Sequence, residues 1–143
     1  MKEIKEWFEK AVPNPTAENR YVQVGCHYEE FAEMAAALND SRLSQEVAFY
    51  GNLYKNCDGV VDDLQNIDRE AKVELLDALC DQIVTAVGVA HMMGFDIIGA
   101  LAEVNRSNYS KFENGKPVFN KHGKIAKGVN YSAPNLEPFV PKE

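Results

Sequence analysis

Cysteine is scarce in this 143-residue chain, and its placement is uninformative for cross-linking. Cys26, Cys57 and Cys80 are odd in number, widely spaced and form no CxxC pair. A disulfide scaffold and a zinc ribbon are excluded, and reduced thiols in a cytosol are expected. Long hydrophobic runs are missing too. The longest weakly polar stretch, Ile83 to Phe95, is interrupted by Thr85 and His91. A spanning helix needs about 20 apolar residues, so no membrane helix is expected. The opening Met1-Lys2-Glu3-Ile4-Lys5-Glu6 has no apolar signal core, so secretion is not expected. Positive charge is thin through residue 109, where 9 Lys and Arg face 19 Asp and Glu. An acidic body of that kind does not suit a nucleic-acid polymer, whose binding depends on cations facing phosphates.

What remains is ordinary in amount, with 45% hydrophobic and 26% charged residues, enough for one globular domain with a core of its own. The pattern is helical as far as residue 108. Ile4, Trp7, Phe8 and Ala11 predict a helix over 2–11, closed by Pro13 and Pro15. Tyr21, Val24, Tyr28, Phe31, Ala35 and Leu38 predict a second helix over 16–38 and mark its core stripe. Leu43, Val47, Tyr50 and Tyr54 carry a third over 42–54, followed by a turn at Asn56-Cys57-Asp58-Gly59. A long fourth helix over 69–93 has Asp68 as N-cap and Gly94 as its closing residue. A fifth starts after Asp96 and ends near Asn108. The expected class is all-α, a bundle of four to five helices over 1–109. Residues 110–143 form a Lys/Gly/Pro-rich C-terminal tail of the same domain, with room for one hairpin over 116–125. That tail reverses the charge, with 6 Lys against 3 Glu.

Two acidic stripes stand out. At about 100° per residue, Glu30 and Glu33 lie together opposite the core stripe of the second helix, flanked by the small residues Cys26 and Ala37. A cover on both sides of this helix is the reading that follows. On the fourth helix Val73, Leu76, Cys80, Ile83, Val84, Val87 and His91 form a core stripe. Glu70, Glu74, Asp77 and Asp81 run beside it without an interleaved lysine. Like charges three and four apart repel, so such a line calls for a compensating cation. Hard divalent ions take carboxylate oxygens, and an oxygen-only set favours Mg²⁺, or Mn²⁺, over iron. A di-iron bundle would need Glu-x-x-His on two helices, and neither stripe has the histidine. Solvated acidic faces are the plain alternative.

The boxes resemble a known family. Glu29-Glu30-Phe31-Ala32-Glu33 is similar to the E-E-x-x-E box of the all-α nucleoside triphosphate pyrophosphohydrolases, the MazG-like and phosphoribosyl-ATP pyrophosphohydrolase-like proteins related to dimeric dUTPases. Glu74-Leu75-Leu76-Asp77 matches the spacing of the second box, E-x-x-D. Counted back from Gly94-Phe95-Asp96, Asp81 fits the family aspartate as well as Asp77 does. The run from Glu103 to Phe112, with 123–128 and 131–136, resembles the tail of a branch common in bacteriophages and bacteria.

The resemblance implies a Mg²⁺-dependent hydrolase (Mn²⁺ also fitting) that cleaves a nucleoside triphosphate between the α and β phosphates, assembled as a homodimer or dimer of dimers. It implies metal roles for Glu30, Glu33, Glu74, Asp77 and Asp81, with Glu29 weaker, and a water-activating role for Glu30 or Glu33. Lys111, Lys124 and Lys127 from the tail are then the candidates for the phosphates, and Asn105 and Asn108 for a phosphate or a sugar hydroxyl. Trp7 is a candidate to stack on the base, although at helical spacing it also suits a core. The small residues Thr85, Ala86, Gly88 and Ala90 suit a seam between helices, within one chain or between two. A phosphoribosyl-ATP or dUTP diphosphohydrolase, and a non-catalytic acidic module that binds a partner protein, remain open.

Overall fold

The computed structural model describes residues 1–56, 67–120 and 124–142. The turn expected at 57–59, Cys57 and Gly123 lie outside them. Among the described residues there are five α-helices, a single 3-10 turn and no strand, so the chain is all-α. The helices are α1 (Lys2–Ala11), α2 (Ala17–Ala37), α3 (Ser41–Asn56), α4 (Arg69–Met92) and α5 (Ile97–Tyr109). No one of them is long and apolar enough to cross a membrane. The chain divides into two compact units, and the tail contributes to both.

The first unit comprises Met1–Ala11, Ile67–Val118 and Lys127–Glu143, and so holds α1, α4, α5 and most of the tail. Its α1 turns Trp7 and Ala11 inward. The Trp7 ring lies stacked on Phe112, with centroids 5.8 Å apart, and meets Phe8 edge-on at 4.9 Å. The caps read from the sequence are in place on α4 and α5. The Asp68 carboxylate accepts from the Ala71 N–H at 2.8 Å, and Asp96 accepts from the Gly99 N–H at 3.0 Å. Each satisfies a donor that the helix start leaves without an intrahelical partner. Between the two helices Gly94 takes φ +73°, a backbone state that a Cβ disfavours.

The tail is tied to α5. The Asp96 N–H donates to the Phe139 carbonyl at 2.9 Å, and the Asn135 N–H to Glu103 Oε1 at 2.9 Å. Ser132 N–H donates to Ser110 Oγ at 2.8 Å, and Arg106 reaches the Ala133 carbonyl at 3.1 Å. A short 3-10 turn at Glu137–Phe139 closes this run.

The second unit comprises Val12–Asn66 and Phe119–Ala126 and is built on the α2–α3 hairpin. Thr16 and Asn19 form a reciprocal capping box at the start of α2. Asn39 at φ +63° makes the turn, and the Asp40 carboxylate caps α3 through the Leu43 N–H at 3.1 Å. Across the hairpin the helices approach backbone to backbone. A Cβ placed on Gly25 would lie 2.6 Å from the Gly51 carbonyl oxygen. Of the hairpin expected over 116–125, residues 121–123 lie outside the described residues, and one pairing is seen on either side of them. An antiparallel bridge joins Phe119 and Ile125, and the Asn120 N–H donates to the Lys124 carbonyl at 2.9 Å.

Two core stripes differ from the sequence reading. On α2 the buried residues are Val22, Gly25, Ala32 and Ala35, roughly a quarter turn from the expected stripe at about 100° per residue. Phe31 and Leu38 are exposed. The small residues let two helix backbones come close, and close contact multiplies weak dispersion attractions that a count of large apolar residues overlooks. Glu30 and Glu33 are exposed, so the cover expected over their side of α2 is absent among the described residues. On α4 the expected core stripe is exposed, with Val73 at 61%, Leu76 at 64% and Val84 at 67%, and only Ala90 is buried. Within its own unit α4 is joined to α5 at its C-terminal end, where the Phe95 N–H donates to the Ala90 carbonyl, and among the described residues the rest of its apolar face meets no helix there.

Candidate functional site

The quarter-turn rotation of α2 decides which of its carboxylates does what. Glu29 falls in the contact with α3, while Glu30 and Glu33 point to the open side. Glu29 spends both oxygens on lysines. Lys55, from the last turn of α3, places Nζ 3.1 Å from Oε1, and Lys124, from the tail segment, places Nζ 2.6 Å from Oε2. Burial alone raises a carboxyl pKa, but the hydrogen bonds from Lys124 and Lys55 outweigh it and hold Glu29 below its ordinary value. Burial works against the Lys124 ammonium as well, and Glu29, Cys26 and Glu30 together turn the balance and push its pKa up. Cys26 is half-buried on the next turn of α2. Desolvation pushes its thiol up, against the pull of Lys124 and with that of Glu29. Cys26 and Cys80 are both free thiols.

The other candidates divide between the units. Glu74, Asp77 and Asp81 are exposed along α4 in the first unit, whereas Glu30 and Glu33 belong to the second. Among the described residues no group of three His, Cys, Asp or Glu side chains is gathered tightly enough to hold an ion. The donor chemistry of the five residues nevertheless fits a hard divalent ion. All supply carboxylate oxygen, and Glu30 with Glu33, or Glu74 with Asp77, stand one helical turn apart.

In the first unit Lys111 donates to Asn108 Oδ1 at 2.7 Å and lies 6.0 Å from the Trp7 ring centroid. Trp7 itself is only 6% exposed, and its indole N–H has no hydrogen-bond partner among the described residues. Lys127 lies over the Tyr131 ring at 4.8 Å. Asn105 is half-buried on α5, one turn before the Asn108–Lys111 pair. Arg106 grips Glu103 with both of its arms, at 2.7 and 2.8 Å. That fork, with the Asn135 N–H, draws the Glu103 carboxyl down to about 2.

Sequence reasoning missed Lys55 and the true partners of Glu29. The missed signal was the pair Gly25 and Gly51, which marks a close helix crossing and therefore the residues facing across it. No protein-family model, curated protein or solved structure matches the chain.

Proposed function

We propose that the chain is a Mg²⁺-dependent nucleoside triphosphate pyrophosphohydrolase that releases a nucleoside monophosphate and pyrophosphate. The observation that carries this reading is Lys124. A residue of the lysine-rich tail, 95 positions away in sequence, donates to Glu29 of the E-E-x-x-E box of α2 and feels the charge of Glu30. A box of oxygen donors with ammonium groups beside it suits a triphosphate, whose charge needs both metal and lysine. Glu30 and Glu33 in the second unit, and Glu74, Asp77 and Asp81 in the first, are the residues that would hold Mg²⁺, or Mn²⁺ in its place. Bound there, the ion would neutralise phosphate charge and lower the pKa of a water. Glu33 or Glu30 would be the carboxylate to orient the attacking water and accept its proton. Lys124 binds phosphate oxygen, with Lys111 and Lys127 as further tail cations and Asn105 and Asn108 as hydrogen-bonding groups for phosphate or sugar.

The same reading includes a homodimer or a dimer of dimers, in which a second copy covers the apolar face of α4. Five large aliphatic side chains exposed along one helix, Val73, Leu76, Ile83, Val84 and Val87, make an apolar strip of the kind that marks an interaction surface. Membrane and nucleic-acid polymer play no part in it, and the cytoplasm is the expected place of action.

The test is a panel of ribo- and deoxynucleoside triphosphates, including dUTP, with phosphoribosyl-ATP, assayed for released pyrophosphate with Mg²⁺. Glu33→Gln and Asp81→Asn should each reduce turnover by at least a hundredfold while circular dichroism shows the helices intact. Wild-type activity in both variants would remove the metal-site assignment. Absence of turnover across the panel would leave a binding module.

A further inference from the structure

Lys55 and Lys124 converge on one carboxylate from different parts of the chain. One comes from the end of α3 and the other from the tail segment Phe119–Ala126, and both belong to the second unit. Two ammonium groups share the single Glu29 carboxylate, and Glu30 adds negative charge close to Lys124. The Lys55 side chain is 19% exposed. Like charges brought to one carboxylate repel each other, and the anion between them offsets that repulsion. Glu29 supplies that anion with one oxygen per lysine. A phosphate group offers two oxygens at nearly the same bite, carries more charge and accepts charge-assisted hydrogen bonds from lysine.

We propose that Lys55 and Lys124 are a paired phosphate-binding site, with Glu29 occupying the place of the phosphate until the ligand arrives. The proposal deepens the pyrophosphohydrolase reading, on which its link to a nucleotide rests, by adding Lys55 as a substrate-binding residue. It also gives Glu29 a role different from that of Glu30 and Glu33. Glu29 is the competitor that the ligand displaces, and it keeps two mutually repelling cations poised on the side of α2 that faces α3. The pair lies one turn of α2 from Glu33 and next to Glu30, so a polyphosphate held by the lysines would extend toward the exposed carboxylates.

The experiment uses the full chain, free of metal in the presence of a chelator, titrated calorimetrically with inorganic tripolyphosphate at low salt. Lys55→Met and Lys124→Met should each weaken binding by at least tenfold. Glu29→Gln should leave it unchanged or tighten it severalfold, because the internal competitor is gone. A purely structural ion pair between α2 and α3 predicts the opposite pattern, with Glu29→Gln and Lys55→Met equally harmful. If Lys55→Met loses helix by circular dichroism, Lys124→Met, in the tail segment, carries the test, and Lys55→Arg should bind within threefold of the wild type. No binding by the wild-type chain, unchanged binding in the lysine variants, or loss in Glu29→Gln overturns the proposal. The readout needs neither metal nor turnover. A chain that binds tripolyphosphate through Lys55 yet cleaves no nucleotide would sink the enzymatic reading and leave the paired site standing. Nucleotide cleavage with lysine-independent tripolyphosphate binding would do the reverse.

Discussion

Gly25→Ala isolates the contact on which the second unit is built. In a helix interior the change by itself favours the folded state, because alanine is about 1 kcal/mol better than glycine there. Against this stands the crossing with α3. The added Cβ would lie 2.6 Å from the Gly51 carbonyl oxygen, 2.6 Å from Lys55 Cγ and 2.9 Å from the Lys55 amide nitrogen. Two of those atoms are backbone and cannot rotate away, so the helices must part by about 0.8 Å to reach the 3.4 Å at which ordinary contact begins. Overpacking of this kind costs about 1–3 kcal/mol, and rigid neighbours put Gly25 at the upper end. The net expectation is a loss of about 1–2 kcal/mol, or a fall in Tm of roughly 3–8 °C for a chain of this length. Gly51→Ala is the internal comparison. Its Cβ would meet the Gly25 carbonyl at 3.1 Å and Tyr28 Cβ at 3.3 Å, which a shift of a few tenths of an ångström relieves. Propensity and strain then nearly cancel, and its stability should stay within about 0.5 kcal/mol of the wild type. Urea and thermal unfolding of both variants, followed by far-UV circular dichroism, give the ranking. A Gly25→Ala chain as stable as the wild type, or a Gly51→Ala chain that is the weaker of the two, would refute the crossing geometry. Because the displaced helix carries Lys55, Gly25→Ala should also loosen the Glu29 cluster.

Val84→Asp tests the proposed assembly: at 67% exposure the residue costs little in an isolated chain, yet a charge on a covered face should drop the mass seen by light scattering from at least twice 16.0 kDa to 16.0 kDa. Glu103→Gln removes the carboxylate shared by Arg106 and the Asn135 N–H, and its effect should depend on pH. The folded-state value of about 2 lies below the ordinary 4.5, so the carboxylate stabilises fully above pH 4.5 and loses that contribution as pH falls toward 2. The variant should be less stable than the wild type in urea at pH 6, with the gap narrowing steadily below pH 4.5. Asp68→Ala should lower stability by about 1 kcal/mol through loss of the α4 cap, visible as a reduced urea midpoint.

The helices were legible because their ends carry local chemistry. Asp68 and Asp96 cap α4 and α5, and Gly94 takes its positive φ between them. Each of these signals is confined to a few consecutive residues. The facing of a helix is a property of its neighbours, and there the sequence pattern led elsewhere. The stripe from Tyr21 to Leu38 counts large apolar groups, but α3 packs on the ridge Val22, Gly25, Ala32 and Ala35, where the backbones come closest. A period of 3.6 is present in both rows of residues, and only the position of Gly51 on the opposite helix selects between them. The docked tail was equally hidden, since its ties to α5 are mostly backbone groups of residues 132–139 with no side-chain pattern to announce them.

The candidate site shows the same division between composition and placement. That a lysine of the tail would meet the acidic box follows from charge alone: an acidic body and a cationic tail in one chain attract, and Lys124 does sit on the box. Which carboxylate receives it depends on the rotation of α2. On the rotation expected from the large apolar residues, Glu29, Glu30 and Glu33 would differ little in their surroundings. On the rotation observed, Glu29 is drawn into the α3 contact and must be neutralised by cations, because a half-buried carboxylate without them would be costly. Glu30 and Glu33 keep the exposed side of the helix. The glycine pair that lets α2 and α3 touch therefore also separates the three acids of a single box, one held by two lysines in the α3 contact and two on the exposed side of α2.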